Sequence, residues 1–416
     1  DPFELDITAA LKETGDQELV VAVWDPTDQG PQPRGKQVTR PGGIYYTPVT
    51  GIWQTVWLEP LPKAHIRSLK IVPDIDQGQA RITVQTEGAR ASHQVVVRLT
   101  GLSAGEEKAQ IERRVETGKP GQPITLDVGA KHLWSPDAPW LYEIEVTLTD
   151  GAALGETADQ VASYFGMRKA SLGKDGNGVT RIFFNNEPLF MFGPLDQGFW
   201  PDGIYTAPTD EALRWDIELT KSLGFNMCRK HVKVEPARWY YWCDRLGLLV
   251  WQDMPSGDAS VAPGKGEVSR TPEAAEQFER ELKAMIDGLH NHPSIVMWVV
   301  FNEGWGQYDT VRLTEWVKSY DATRLANCAS GWNDYPAGDV IDVHSYPGPG
   351  SPQPTSERAA VLGEYGGLGL PVEGHTLLSK DNWGYRSFTD AESLTTAYLD
   401  LVSGLRWLTG EPGLSA

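Results

Sequence analysis

The sequence predicts a multidomain chain. An all-β N-terminal part, made of a partial jelly roll and an immunoglobulin-like β-sandwich, is followed by a (β/α)8 TIM barrel lacking its last strand. Three observations predict this. Short apolar runs separated by turn clusters fill the first 165 residues without helical periodicity. After about Gly166 the rhythm becomes strand then helix, repeated over about 250 residues, as a (β/α)8 barrel requires. The 416 residues leave room for roughly two to three domains at about 150 residues each.

Residues 1–62 hold two strand-like stretches, 18–24 and the alternating Gly51-Ile52-Trp53-Gln54-Thr55-Val56-Trp57-Leu58-Glu59, around a Pro-, Gly- and Asp-rich turn region at 25–35. That is too little for a whole sandwich, so this segment reads as the C-terminal part of a jelly roll. Residues 63–165 carry runs at 80–86, 94–99, 123–128 and 142–148, with turn residues between them, which fits an immunoglobulin-like sandwich of about 100 residues. The Leu133-Trp134-Ser135-Pro136 stretch reads as a loop anchored by a buried Trp. In the third unit, 166–416, seven buried strands are expected at 189–193, 225–229, 248–251, 295–301, 325–329, 340–344 and 360–363. Amphipathic helices at 209–223 and 272–289 lie between them, the first opening on the capping start Pro208-Thr209-Asp210-Glu211. A helix at 388–408 follows the seventh strand. The sequence given stops where an eighth strand is expected to begin, and it lacks an initiating Met or signal segment, so both termini are expected to be incomplete.

Composition narrows the partners. Hydrophobic residues make up 40%, charged residues 22%, and no apolar run approaches the roughly 18 residues of a membrane span, so no membrane partner is expected. A net charge of -19 argues against a nucleic-acid surface, which needs clustered Lys and Arg. A neutral substrate fits better, and sixteen Trp lean toward carbohydrate, since sugar rings stack on indole faces. Cys228, Cys243 and Cys328 have no CxxC spacing and read as buried thiols.

Two segments carry the chemistry. Val296-Met297-Trp298-Val299-Val300-Phe301-Asn302-Glu303-Gly304 and Ala360-Val361-Leu362-Gly363-Glu364-Tyr365-Gly366 each end a buried strand in a glutamate. Catalytic groups of such barrels project from the C-terminal ends of strands. Glu303 ends the fourth strand and Glu364 the seventh, so paired-acid chemistry such as glycoside hydrolysis is expected. Asp196, Arg229, His231, Asp253, His344 and Tyr346 fall at equivalent positions and should converge on the same mouth. Trp200, Trp305, Trp332 and Trp383 are candidate sugar platforms. His290-Asn291-His292-Pro293 lies ahead of the fourth strand, at the stability face, and reads as capping. Asp175-Gly176-Asn177-Gly178 lacks the bidentate Glu of a calcium loop and reads as a hairpin turn.

These motifs, with Gly224-Phe225-Asn226-Met227-Cys228-Arg229-Lys230-His231 and Cys243-Asp244-Arg245-Leu246-Gly247-Leu248, resemble glycoside hydrolase family 2, the family of β-galactosidases, β-glucuronidases and β-mannosidases. The resemblance covers nearly the whole chain and makes residues 1–62 sugar-binding-like. It implies that Glu303 is the general acid/base and Glu364 the nucleophile, that Asn302 binds the substrate 2-hydroxyl, and that Arg229 and Tyr346 hold the nucleophile. His231 follows Arg229 by two residues, where well-studied members have the His three after the Arg. Trp251-Gln252-Asp253-Met254-Pro255 lacks the His and Glu that bind magnesium in large bacterial β-galactosidases, so no metal and no cofactor is expected. Asn382-Trp383-Gly384 lacks the Lys of an Asn-x-Lys pair that reads a uronate. The expected function is therefore a retaining exo-β-glycosidase, β-galactosidase-like. β-Mannosidase, β-glucuronidase or a non-catalytic carbohydrate-binding relative are the alternatives. A homo-oligomer and a periplasmic or secreted home are compatible expectations.

Overall fold

A computed structural model describes residues 2–129, 132–151, 156–376, 380, 382–410 and 413–416. Eight strands between residues 65 and 165 make a two-sheet sandwich. His65–Asp74, Gln79–Glu87 and Pro123–Asp127 form one antiparallel sheet. The other centres on the pair His93–Ala104 and Leu141–Asp150. Thr157–Phe165 flanks the latter, and Glu107–Lys108 and Val115–Gly118 flank the former. Period-two alternation builds the core: Ala80, Ile82 and Val84 face Val95, Val97, Leu99, Ile144, Val146 and Leu148 across the gap, all buried.

The partial jelly roll expected in residues 1–62 is not formed. Among the described residues of this segment there is a 3-10 turn at Thr8–Ala10 and there are isolated bridges, but no strand. The two strand-like runs lie in the open, with Trp24 86% and Trp57 69% exposed. Alternation prepares a face, but a strand also needs a neighbour for its N–H and C=O groups, and neither run has one. Part of the segment instead lies over the barrel, bridging Pro33 to Gly257.

The barrel begins after a hairpin, Ala170–Lys174 with Thr180–Phe184, whose turn is held by Asp175 Oδ1 accepting from the Asn177 and Val179 amides. Its parallel strands run in sequence order: Leu195–Asp196, Met227–Lys230, Leu249–Asp253, Ile295–Val299 and Leu325–Asn327 in one sheet, Val340–Ser345 and Ala359–Tyr365 in a second. The slot expected to lack a strand holds the last three residues. Leu414 bridges Ala360 in parallel, the Leu362 amide donates to Ala416 O, and the Met191 amide donates to Ser415 O. They lie between the seventh strand and the lead-in to the first, where a barrel closes.

The helix Asp210–Ser222 starts where the Thr209 hydroxyl accepts from the Ala212 amide, and Pro272–Leu289 starts at a proline after the cap Thr271. The latter buries Phe278, Leu282, Met285, Ile286 and Leu289 on one face. At the N-terminal face of the barrel, Asn291 takes the Ile71 amide and donates to Leu69 O, tying barrel to sandwich, and His292 pairs with Asp244. Arg168 is buried beside them and donates to the carbonyls of Pro293, Thr323 and Ile295. The anchor expected at Trp134 is fully buried, its indole N–H donating to Asp244 O. All three cysteines are buried and free.

Candidate active site

The two glutamates reach the mouth by different backbone routes. Past the fourth strand, Asn302 bridges Ser330, and Glu303 then turns with φ 53°, followed by Gly304 at φ 70°. A glutamate in left-handed backbone costs about 1 kcal/mol or more, and the Glu303 amide bonded to Ser330 O holds it there. Glu364 is the penultimate residue of the seventh strand, itself buried.

Arg229, at the end of the second strand, is the hub. Its Nε and Nη2 donate to the two oxygens of Asp253 (2.9 and 2.8 Å), Nη2 also to Asn302 Oδ1 (2.8 Å), and Nη1 to Glu364 Oε1 (3.2 Å). Tyr346 donates its hydroxyl to Glu364 Oε2 at 2.6 Å. His344 stands between the carboxylates: Nδ1 is 2.7 Å from Glu303 Oε1 and 3.6 Å from Glu364 Oε2, while Nε2 is 2.8 Å from Ser330 Oγ. Atoms of Glu303, His344 and Glu364 that could bind a metal lie within 4.8 Å of one another. Both His344 nitrogens have hydrogen-bond partners within the site.

The electrostatics separate the two acids. Burial pushes Glu364 up, but His344, His231, Arg229 and the Tyr346 hydroxyl outweigh it and hold the carboxyl at about 2. His231, 3.3 Å from Glu364, is driven far below its ordinary value by burial. Burial also lowers His344, but Glu364, Glu303 and Asp342 win and leave it raised. Asp253 is raised by burial to about 6 against the pull of Arg229, still ionised at neutral pH. Glu303 has no cation other than His344 within ion-pair distance among the described residues.

Of the residues singled out by strand position, the fold gathers Glu303, Glu364, Arg229, His231, Asp253, His344 and Tyr346 at one point. Asn302, which the resemblance alone singled out, joins them. The Asn302 side-chain N–H group is buried without a partner, a donor left for a ligand. Trp332 packs edge-on to His344 with its indole N–H unpartnered, and Trp305 lies two residues after Glu303. Trp383 lines a cavity of about 440 Å³ that includes Glu364, Arg229 and Tyr346 and opens between the seventh and first strands. Two expectations are corrected. Asp196 turns away to Lys230 (2.7 Å), in a separate ionic group with Glu235 and Lys233, because the first strand ends beside that lysine. Trp200 packs against the outer helical core instead of the mouth, its strand-like bridge to Ile204 folding the loop back on itself.

Sequence reasoning missed Lys36 and Tyr45. Tyr45 stacks on Trp305 at 5.6 Å between ring centres, and Lys36 sits buried over the same indole. Nothing in a turn-rich N-terminal stretch signals this, since the strand-end rule speaks only for barrel strands.

The family model described as "Glycosyl hydrolases family 2, TIM barrel domain" matches residues 196–356, and that described as "Glycosyl hydrolases family 2" matches 64–168. A β-galactosidase of Leuconostoc mesenteroides is 27% identical over 354 residues, and one of Aeromonas hydrophila 28% over 359, each match covering 82% of this chain. The chain spans about a third of the length of these curated relatives, 32% in each case. A Bacteroides uniformis β-glucuronidase crystal structure shares the fold, with a TM-score of 0.60 and 22% identity over 85% of this chain and 46% of that one.

Proposed function

This chain belongs to glycoside hydrolase family 2, and on that premise we propose that it is a retaining exo-β-glycosidase acting on terminal neutral sugars, β-galactosides first among them. One observation carries the reading: two strand-end glutamates with oxygens within 4.8 Å, one gripped by Arg229 and Tyr346 and the other bonded to His344. Inverting enzymes separate their carboxyl groups by about 6.5–9.5 Å to admit a water, and retaining ones by about 5–5.5 Å. The close approach favours the retaining route.

In that route Glu364, ionised, attacks the anomeric carbon while Glu303 gives its proton to the leaving oxygen, and the glycosidic bond breaks. A covalent glycosyl-enzyme results. Glu303, now a carboxylate, takes a proton from water, whose oxygen displaces Glu364 and releases the sugar. Asn302 Nδ2 donates to the 2-hydroxyl, a bond that tightens as charge develops and so adds to kcat. Asp253 fixes Arg229, Arg229 and Tyr346 aim Glu364, and His344 aims Glu303. Trp305, Trp332 and Trp383 offer platforms for the sugar. The galactoside preference rests on the names of the sequence relatives.

The test is a panel of chromogenic aryl β-galactoside, β-glucuronide, β-mannoside and α-arabinoside substrates with wild type, Glu303→Gln and Glu364→Gln. Hydrolysis by wild type that both variants lose is the expected result. Equal rates in all three proteins would overturn the assignment.

A further inference from the structure

The site is not made by the barrel alone. A strap from the N-terminal segment crosses its mouth: the Arg34 and Gly35 amides both donate to Ser256 O at 2.9 Å, Tyr45 stacks on Trp305, and Tyr46 stacks on Phe199 at 3.9 Å. The approach is close enough to demand glycine. Gly35 sits at φ +62°, and a Cβ there would lie 2.4 Å from Val232 O. What the strap delivers is Lys36, 5% exposed. Its ammonium has a single long contact to Ile44 O at 3.3 Å and lies 5.7 Å from the centre of the Trp305 ring. Among the described residues no carboxylate lies within ion-pair distance of it, yet it is near enough to feel Glu364, Glu303 and Arg229.

An ammonium carries three hydrogens, and burying it with most of them unspent is costly unless something else receives them. Arg229 cannot serve a ligand in this way, because its donors are committed to Asp253, Asn302 and Glu364. Among the described residues Lys36 is the uncommitted cation of the mouth. We propose that Lys36 is a substrate-binding residue, donating from the strap to an oxygen of the sugar held between Glu303 and Glu364. The inference rests on the glycosidase reading above and adds that residues 33–46 form one wall of its sugar subsite.

Calorimetric titration of Glu364→Gln with aryl β-galactoside and aryl β-glucuronide, repeated in Glu364→Gln/K36M, reads the contact without turnover. Loss of a hydrogen bond to a charged donor should weaken binding by about 10- to 100-fold. Weakening for both ligands marks a ring hydroxyl, and weakening for the glucuronide alone marks the acidic oxygen; either supports the proposal. K36R should restore part of the affinity, and G35A, which displaces the strap while keeping the lysine, should mimic K36M. Equal affinities with and without Lys36, or a Glu364→Gln protein that binds neither glycoside, would overturn it. Should Glu364→Gln still hydrolyse the substrates, the nucleophile assignment fails by itself. The wild-type and K36M affinities for the released sugar then decide on Lys36 separately.

Discussion

Tyr346→Phe isolates one interaction of the catalytic pair. The hydroxyl donates to Glu364 Oε2 at 2.6 Å, and the ring, which phenylalanine keeps, stacks on Tyr385 with centres 3.9 Å apart. A hydrogen bond to a charged acceptor is worth about 1.5–3 kcal/mol, and each pKa unit corresponds to about 1.36 kcal/mol. Removing the donor should therefore raise the Glu364 pKa by about one to two from its present value of about 2. The nucleophile must be ionised, so the acid limb of kcat/KM, which reports the free enzyme, should move to higher pH. At neutral pH Glu364 remains ionised in the variant. Any fall there measures lost aim rather than lost charge, and about tenfold or more is expected. The assay is kcat/KM against pH for a chromogenic aryl β-galactoside. An unmoved acid limb together with an unchanged neutral rate would refute the account of how Glu364 is held.

In kcat/KM, which reports the glycosylation step, Glu303→Gln should lose about 10²- to 10⁴-fold with a poor leaving group and far less with an activated dinitrophenyl one, because only the former needs protonation; equal losses in kcat/KM with the two would contradict a proton-donor role. Asn302→Ala should lower kcat more than it raises KM, and removing the 2-hydroxyl from the substrate should cancel most of the difference between variant and wild type. Glu364 also links stability to pH: its folded pKa lies near 2 against an ordinary 4.5, so the contribution, about 3 kcal/mol, is present above 4.5 and is lost as pH falls through 2. The stability gap between wild type and Glu364→Gln, followed by denaturant unfolding, should narrow on acidification, and a constant gap would argue against a depressed pKa. Asn291→Ala removes both bonds to the sandwich and should cost about 1–3 kcal/mol with no change in kcat, checked by thermal unfolding beside steady-state rates.

How legible the fold was depended on whether a signal was local. The helix over Pro272–Leu289 matches its expected bounds because a capping Thr, a proline at the first turn and one apolar face all lie within the helix itself. The first barrel strand, expected at 189–193, is regular only at Leu195–Asp196. Upstream, the Asn226 side chain bonds the Phe192 amide and Phe190 O, and Ser415 O takes the Met191 amide, so distant groups satisfy that backbone without a ladder. The runs at 18–24 and 51–59 had the right alternation and failed for want of a partner strand. Within the site, the rule that function projects from C-terminal strand ends located seven converging residues. It misplaced Asp196, since it says where a side chain starts and not which neighbour claims it. Lys36 was beyond reach altogether: its place depends on a strap packing against loops far along the chain.

The different surroundings of two like residues follow from one guanidinium. Two glutamates whose oxygens approach within 4.8 Å would repel if both were charged, so the site must give them different surroundings to fix which one ionises. Arg229 does this by geometry. Asp253, nearly inaccessible at the third strand's end, takes two of its N–H groups and fixes the plane of the fork, and Asn302 takes another. The remaining edge then points at Glu364, where Tyr346 adds a second donor, with His344 Nε2 beside it at 3.4 Å. Among the described residues Glu303 is given no such partner, and its side chain bonds to an imidazole that also faces Glu364. Because Asn302 precedes Glu303 and bonds to the same guanidinium that holds Glu364, the second, third, fourth and seventh strands are registered against each other through a single side chain. The spacing of the pair and the charge held on Glu364 thus have one structural origin, and lysine in place of Arg229 could supply the charge but not the fork.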